Sequence, residues 1–190
     1  YISDFPNQVG HWQDLVGTAE KKNDSAGLWI ANTKQGTNLE SVSINLDARE
    51  QSSGDLELTF LYEGQSNFGL VFRGDKQKTS QWQSFAYNRD GRWQLGQPGG
   101  KWLTNIPGPT LLSGQQYKLL VRYDGKKIQT FLNDQLFYEN EEVHYPDGTS
   151  INDDWMGAVG IRLFGNLSKL NIISMKSGSV GGIPVIDSSA

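Results

Sequence analysis

Residues 117–140, YKLLVRYDGKKIQTFLNDQLFYEN, decide the fold class. Apolar and polar side chains alternate along most of this stretch, as they do along a β-strand that buries one face. Two dipeptides interrupt the alternation, Asp124-Gly125 and Asn133-Asp134, and both favour the tight turns that join antiparallel strands. The stretch therefore predicts three consecutive antiparallel strands joined by two hairpin turns.

The same alternation recurs along the rest of the chain, and no segment keeps a helical period over about ten residues. The clearest other runs are 41–46, 55–62, 68–73 and 158–163. In each run we expect the apolar residues to face a core and the polar residues to face water. About a dozen short strands of this kind in one domain require two stacked sheets. The prediction is an all-β fold, an antiparallel two-sheet β-sandwich of jelly-roll type.

Composition narrows the classes of partner. The chain has 190 residues and a net charge of -4, with Lys and Arg scattered along it, so we expect no nucleic-acid partner, which would need a basic stripe. It has no run of about 18 apolar residues and hence no predicted membrane span. Its 6 Trp, 7 Tyr, 8 Phe and 22 Gly stand beside only 36% hydrophobic residues. This balance favours a sandwich with a thin core and aromatic side chains on its surface.

The domain boundary is predicted near the C-terminus. We place a β-sandwich module at residues 1–176 and a linker or C-terminal tail at residues 177–190. The tail, SGSVGGIPVIDSSA, is rich in Gly and Ser and loses the alternation, which is typical of a segment that leads to a further domain. The chain starts with Tyr1 rather than Met, so we expect a mature or excised segment. The absence of Cys favours an exported bacterial source.

Two long loops, 74–81 and 143–155, interrupt the strand pattern, and long loops in compact domains are often functional. A sugar site combines an aromatic ring, on which a sugar C–H face stacks, with polar groups that bind hydroxyls. The candidate ligand contacts are the aromatic and acidic residues beside these loops and after the Gly-rich turn at 98–100. They are Trp82, Trp102, Asp153, Asp154 and Trp155, with Trp82 as the first choice for an exposed platform.

The stretch FGLVFRGD, residues 68–75, ends in a tripeptide known as an integrin-binding tag. Such a tag must display Arg73 and Asp75 together at a mobile loop tip. The alternation along the stretch instead makes Arg73 the last outward residue of a strand. We therefore interpret the tripeptide as a chance match. Arg73, with Asp75 at the mouth of the following loop, is predicted to contact a ligand above the sheet.

Four motifs together carry a family resemblance: FGLVFRGD, FAYNRDGRWQLG, the 117–140 stretch and GAVGIRLF. Over residues 39–176 the chain resembles concanavalin A-like, laminin-G-type sandwich modules, and most of all the accessory carbohydrate-binding modules of secreted bacterial glycosidases, including the levan-binding family 66. The resemblance implies that Tyr87 lies on a ligand-facing strand and that Arg73 holds sugar hydroxyls. The acidic partner of that levan-binding group is not matched here, since the strand TNLESVSINL carries only Glu40, near its start.

Catalysis finds no support in the sequence. Retaining jelly-roll hydrolases need two carboxylates about 5 Å apart, usually from a Glu-x-Asp-x-x-Glu strand, and this string is absent. His11 and His144, the two histidines, stand in no recognisable triad or zinc motif. The acidic runs at 139–142 and 153–154 are interpreted as solvated charge. We predict no catalytic residue.

Calcium is the one metal that the sequence leaves open. The loop at 143–155 supplies oxygen donors, which calcium prefers. They are Asp147, Asn152, Asp153 and Asp154. A polar loop without metal is the preferred interpretation, so no cofactor is predicted and calcium is kept as the alternative.

The sequence thus predicts a non-catalytic carbohydrate-binding module that tethers a larger secreted glycoside hydrolase to its glycan. The expected partners are an oligo- or polysaccharide and the catalytic domain of the same polypeptide. The expected location is outside the cell or on its surface. Two alternatives remain: a laminin-G-like adhesion domain that binds a protein, and a jelly-roll hydrolase with an atypical site.

Overall fold

A computed structural model of the chain describes residues 2–4, 11–24, 27–32 and 39–186. The described residues form strands and turns, and no helix among them is long and apolar enough to cross a membrane. The strands are β1 (Ile2–Asp4), β2 (Trp12–Val16), β3 (Ala19–Asp24), β4 (Gly27–Asn32), β5 (Glu40–Asn45), β6 (Gly54–Leu61), β7 (Asn67–Gly74), β8 (Gln83–Asn88), β9 (Arg92–Gln97), β10 (Lys101–Ile106), β11 (Gln116–Asp124), β12 (Lys127–Leu132), β13 (Gln135–Asn140), β14 (Ala158–Phe164) and β15 (Lys169–Gly178).

The strands form two antiparallel sheets. The eight-stranded sheet has the order β13-β12-β11-β6-β15-β4-β3, with β1 also paired to β15, and the seven-stranded sheet has the order β10-β9-β8-β7-β14-β5-β2. The core lies between them and is rich in aromatic contacts, such as the stacked pair Phe72 and Tyr123 at 4.7 Å between ring centroids. The predicted all-β, two-sheet antiparallel sandwich is confirmed.

The two hairpin turns of the 117–140 stretch form as predicted. Asp124 pairs with Lys127 across a two-residue turn, and Gly125 takes a left-handed φ of 58° there. The next turn places Asn133 and Asp134 at φ 49° and 67°, the pair of positive values that a type I′ hairpin requires. Asn and Asp tolerate this conformation better than other side chains, because their short polar groups bond locally.

Strand β5 departs from the expected orientation. Ladder partners in an antiparallel sheet share a face. Val42 pairs with Arg162, which pairs in turn with Gly69, so Val42 lies on the outer face with these two residues. The Ser41 hydroxyl instead donates to Asn32 Oδ1 at 2.6 Å, across the space between the sheets. The expectation that every polar face meets water is therefore wrong for β5, whose serines point inward.

A loop over the outer face of the seven-stranded sheet explains this inversion. The Gln13 amide donates to the Lys76 carbonyl at 3.0 Å, and the Lys76 ammonium donates to the Leu46 carbonyl at 3.4 Å. These bonds hold the loop at 75–81 across β2 and β5. Ile44, which shares the outer face, is fully buried. Apolar residues of β5 can therefore face outward without meeting water.

The sandwich continues past the predicted boundary at residue 176. Strand β15 ends at Gly178, and the fully buried Asp55 carboxylate accepts bonds from the Gly181 and Ile183 amides at 3.2 and 3.1 Å. Arg122 donates to the same carboxylate at 2.8 and 3.0 Å. Ile183 is buried. The first part of the predicted linker is thus packed on the eight-stranded sheet, and a linker role for the rest stays a prediction.

Candidate functional site

Arg73 does not point away from the sheet. Its backbone has a left-handed φ of 55°, and the register between β7 and β14 shifts between Ala158 and Gly160. A left-handed residue beside a register shift breaks the alternation of the strand and turns its side chain toward the end of the sandwich. The Arg73 side chain is 0% exposed. The predicted outward orientation is wrong, because alternation applies only where the strand is regular.

The buried guanidinium of Arg73 ties together the loops at that end. It donates to the carbonyls of Ser52 at 2.7 Å, Gly125 at 2.8 Å and Asn152 at 3.3 Å, and to Gln83 Oε1 at 2.9 Å. A planar fork with five N–H donors suits acceptors that arrive from several directions. Burial lowers the pKa of Arg73. These contacts make Arg73 a structural residue of the sandwich end.

Asp75 is occupied in its own loop, where its amide donates to the Gln81 carbonyl at 2.9 Å and its carboxylate accepts from the Gln77 amide at 2.8 Å. Because Arg73 is buried, the tripeptide is not displayed as an integrin tag would be.

Tyr87 and Trp82 are also less accessible than predicted. Tyr87 is 1% exposed, and its hydroxyl accepts a bond from the Leu111 amide at 3.1 Å within the core. Trp82 is 2% exposed, and its indole N–H donates to the Thr79 carbonyl at 3.0 Å. The prediction of Trp82 as an exposed platform is wrong, because the loop that precedes it folds back over the sheet.

The predicted residues of the 143–155 loop, Asp153, Asp154 and Trp155, follow Asn152, whose carbonyl Arg73 binds at the end of the sandwich. Asp154 is exposed, and Asp153 and Trp155 are half-buried. Lys101 donates to Asp147 at 2.7 Å, and this bond with those from Thr149 holds the pKa of the exposed Asp147 well below its usual range. Among the described residues, no three His, Cys, Asp or Glu side chains converge as metal ligands would.

A different group of residues converges on the outer face of the seven-stranded sheet. Its floor consists of small residues, Gly69, Ala86 and Gly96, which occupy outward positions on three neighbouring strands. A Cβ atom built on Gly96 would overlap the Trp102 ring, and one built on Gly69 would lie 2.8 Å from Ala86 Cβ. The absence of larger side chains leaves room for Trp102 to lie flat over β9.

Arg162 of β14 occupies the centre of this aromatic surface. Its guanidinium carbon lies 4.1 Å from the ring centroid of Phe164, 4.5 Å from that of Trp102 and 5.7 Å from that of Trp82. These distances are within the range of cation–π attraction. Trp82 and Trp102 also contact each other, with centroids 6.2 Å apart. Two of the three predicted tryptophans therefore belong to this surface, Trp82 as a buried support and Trp102 as a half-buried ring.

Glu40 pairs with Arg162 and leaves part of the arginine uncommitted. Arg162 Nε donates to Glu40 Oε2 at 2.7 Å, with 9% of the Arg162 side chain and 31% of the Glu40 side chain exposed. Arg162 Nη1 is buried and has no hydrogen-bond partner among the described residues. An unused buried donor is costly, on the order of 1–3 kcal/mol, and calls for an explanation. Burial lowers the pKa of Arg162.

An open pocket of about 390 Å³ adjoins this ion pair and is lined by Leu39, Glu40, Arg162, Phe164 and Gly165. It offers an apolar ring, cationic N–H donors and a carboxylate acceptor side by side. We call the group Glu40, Trp82, Trp102, Arg162 and Phe164, together with this pocket, the Arg162 surface. Such a combination suits a ligand with both apolar C–H faces and hydroxyl groups.

Sequence reasoning did not select Arg162 or Phe164, and it noted Glu40 only as a residue near the start of its strand. Alternation does place Arg162 on the outer face of β14. The signal that could have singled it out is the set of small outward residues on neighbouring strands, Gly69 and Ala86, which leave space for a long side chain.

Comparisons with known proteins agree with this architecture. The chain is 99% identical over 190 residues to a segment of "Hyaluronate lyase HylB" from Enterococcus faecalis, which covers 100% of this chain and 19% of that protein. The chain thus spans about a fifth of the length of that relative. No protein-family model matches the chain.

Solved structures with similar folds share little sequence with it. The carbohydrate binding module CBM66 from Bacillus subtilis is 16% identical, with a TM-score of 0.58 over 84% of this chain and 94% of that chain. A Bacillus subtilis protein with a galectin-like fold is 12% identical, with a TM-score of 0.63 over 90% of each chain. The Ca²⁺-bound lumenal domain of VIP36 is 14% identical, with a TM-score of 0.59 over 93% of this chain and 86% of that chain. The chain has the predicted concanavalin A-like sandwich fold.

Proposed function

We propose that the chain is a non-catalytic carbohydrate-binding module and that the Arg162 surface is its glycan site. The observation that carries the proposal is the state of Arg162. It is stacked among three aromatic rings, paired through one nitrogen with Glu40, and left with a second nitrogen that no described residue bonds. A sugar hydroxyl that enters the adjoining pocket would meet the accessible edge of this ion pair.

The chemistry of the surface favours a particular mode of binding. The half-buried ring of Trp102 offers a stacking face for a sugar ring, while Arg162 donates to one hydroxyl oxygen and Glu40 accepts from a neighbouring hydroxyl. Because the ion pair has no net charge, the ligand groups that it contacts are neutral hydroxyls rather than a carboxylate. Binding of an uncharged glycan should therefore depend only weakly on salt concentration.

The near-identical segment of a larger protein supports a role for the module. We propose that it tethers an extracellular or cell-surface bacterial lyase to a polysaccharide, so that a weak site acts by raising the local substrate concentration. The name of the relative makes hyaluronan the first glycan to test. A dissociation constant in the micromolar to millimolar range would be adequate for this role.

The two alternatives have less support. Glu40 is the one acidic residue among the described residues that line the Arg162 pocket, whereas glycoside hydrolysis ordinarily needs two carboxylates. The alternative of a protein-binding adhesion domain cannot draw on the tripeptide at 73–75, because Arg73 is buried.

The proposal is tested by titrating the purified chain with glycans by calorimetry, starting with hyaluronan oligosaccharides and followed by a glycan array. Trp102→Ala and Arg162→Lys should each weaken binding by at least about tenfold. Lys127→Ala, which lies on the other sheet, is the matched control and should bind as the wild type does. Wild-type affinity in both site variants, with their fold intact, would refute the site, and no binding by any glycan would refute the function.

A further inference from the structure

A second cleft lies on the opposite side of the turn that borders the Arg162 pocket. It has a volume of about 670 Å³. The side chains that matter here are Trp29, Glu63, Arg89, Asn166, Leu167 and Lys169, and we call this group the Trp29 cleft.

Trp29 supplies an aromatic face in this cleft. Its neighbours Leu28 and Ile30 on β4 are fully buried in the core, so Trp29 points to the outer face of the eight-stranded sheet. It is half-buried, and the Lys22 ammonium lies 4.4 Å from its ring centroid. The ring is therefore partly accessible, with the Lys22 ammonium against one of its faces.

Polar groups of both charges surround this ring, since the cleft lining holds Glu20 and Glu63 beside Arg89 and Lys169. Arg89 is exposed and bonds through Nη2 to the Asn166 carbonyl at 3.0 Å and the Ser168 hydroxyl at 3.3 Å. The Lys169 Nζ atom lies 3.9 Å from Glu63 Oε2. The cleft thus offers hydrogen-bond donors and an acceptor without a strong field of either sign. Those are the properties of a site for a neutral sugar ring rather than for a compact anion.

Backbone strain marks the rim of the cleft. Leu167 has a left-handed φ of 59° and is 59% exposed. An apolar side chain held in this conformation in water is unfavourable on both counts, and such strain is concentrated at ligand sites.

The two pockets meet at one turn. Gly165 lines the Arg162 pocket, and the next residue, Asn166, lines the Trp29 cleft. The turn is held in place from both sides, since the Gly165 amide donates to the Leu39 carbonyl at 2.9 Å and the Ser168 hydroxyl donates to the Phe164 carbonyl at 2.6 Å. A chain that crosses this turn passes from the outer face of the seven-stranded sheet to that of the eight-stranded sheet, over a turn that these hydrogen bonds already hold in place.

We infer that the Trp29 cleft is a second glycan subsite, filled only by a polysaccharide long enough to cross the turn at 165–168. The inference rests on the proposed function and specifies its substrate class as an extended chain rather than a single sugar or a chain end. Binding of the second sugar would be intramolecular, so affinity rises with chain length without any change at the Arg162 surface.

The test compares a hyaluronan tetrasaccharide with a hyaluronan dodecasaccharide by calorimetry. Wild type should bind the dodecasaccharide about tenfold more tightly per chain than the tetrasaccharide. Trp29→Ala should bind the tetrasaccharide as wild type does and lose the gain with length. Trp102→Ala should weaken both. Arg89→Gln provides a second variant that leaves the platform and the core in place, and it should reduce the gain.

Direct observation complements the variants. The indole N–H signal of Trp29, assigned with Trp29→Phe, should shift with the dodecasaccharide and stay unchanged with the tetrasaccharide. If Trp29→Ala and Arg89→Gln keep the full gain with length, the subsite is refuted while the Arg162 surface stands. If wild type binds neither oligosaccharide, both the subsite for this polysaccharide and its proposed tethering role are refuted.

Discussion

Replacing Arg73 with methionine tests whether its buried guanidinium holds the end of the sandwich together. Methionine is unbranched and of similar length, so Arg73→Met keeps much of the packing against Tyr123, whose ring centroid lies 5.2 Å from the guanidinium carbon. The variant loses all four hydrogen bonds to Ser52, Gly125, Asn152 and Gln83. The left-handed backbone at residue 73 is equally strained in both proteins, so the comparison isolates the side chain.

The expected magnitude follows from those four bonds. Hydrogen bonds to a charged donor contribute about 1.5–3 kcal/mol each. Two effects reduce the sum, because water can reach some of the freed loop carbonyls and the cost of burying a cation disappears. The net loss should be on the order of 3–5 kcal/mol, a large fraction of the roughly 5–15 kcal/mol that stabilises an ordinary domain.

Urea unfolding followed by tryptophan fluorescence measures this loss through the shift in midpoint at constant slope. The stability of Arg73→Lys should lie between those of wild type and Arg73→Met, since an ammonium cannot reach acceptors on every side. Arg92→Met is the matched control, because Arg92 is exposed and its guanidinium bonds only the exposed Asn105 side chain among the described residues, and it should change stability by less than about 0.5 kcal/mol. A loss below about 1 kcal/mol in Arg73→Met would refute the structural role.

Three further predictions concern the site, the tail and the core. Gly96→Ala should displace the Trp102 ring, weaken glycan binding by calorimetry and cost about 1–3 kcal/mol in urea unfolding, and unchanged binding would contradict the packing described for that ring. Asp55→Asn should lower stability by about 2–4 kcal/mol and expose the segment at 181–186 to proteolysis, whereas a protease-resistant tail would show that other contacts hold it. Burial raises the pKa of Tyr123 to about 12, so the unfolded chain releases the tyrosine proton at a lower pH than the folded chain does. The contribution of Tyr123 to the free energy of unfolding should therefore fall by up to about 3 kcal/mol between pH 10 and pH 12. Tyr123→Phe should remove that part of the pH dependence, and an identical pH profile in the variant would contradict the assignment.

The strands and hairpins were predictable because their signals are local. Alternation identifies a strand within a few residues, and Asn133-Asp134 encodes its turn directly through tolerance of positive φ. Arg73 was misplaced for the same reason. Its orientation depends on a register shift against β14, which the alternation of β7 does not contain, and on acceptors brought by distant loops such as Asn152.

The candidate site was only partly predictable. Trp102 was selected because surface aromatics after turns are typical sugar contacts. Trp82 was selected as an exposed ring, but it lies buried beneath the proposed surface. Glu40 and Arg162 are 122 residues apart in sequence and meet only because β5 pairs with β14. The inward orientation of Ser41 that accompanies this pairing goes together with a loop that covers the outer face.

Perturbation mapping by NMR with a bound glycan tests the central claim most directly. The chain is titrated with the hyaluronan oligosaccharide, or with the strongest hit from the glycan array, while the side-chain N–H signals of arginine and tryptophan are followed. We predict saturable shifts of the Arg162 guanidinium and Trp102 indole signals, with little change at Trp155. Shifts confined to Trp155 and the loop at 143–155, with Arg162 and Trp102 unchanged at saturation, would contradict the assignment of the glycan site to the outer face of the seven-stranded sheet.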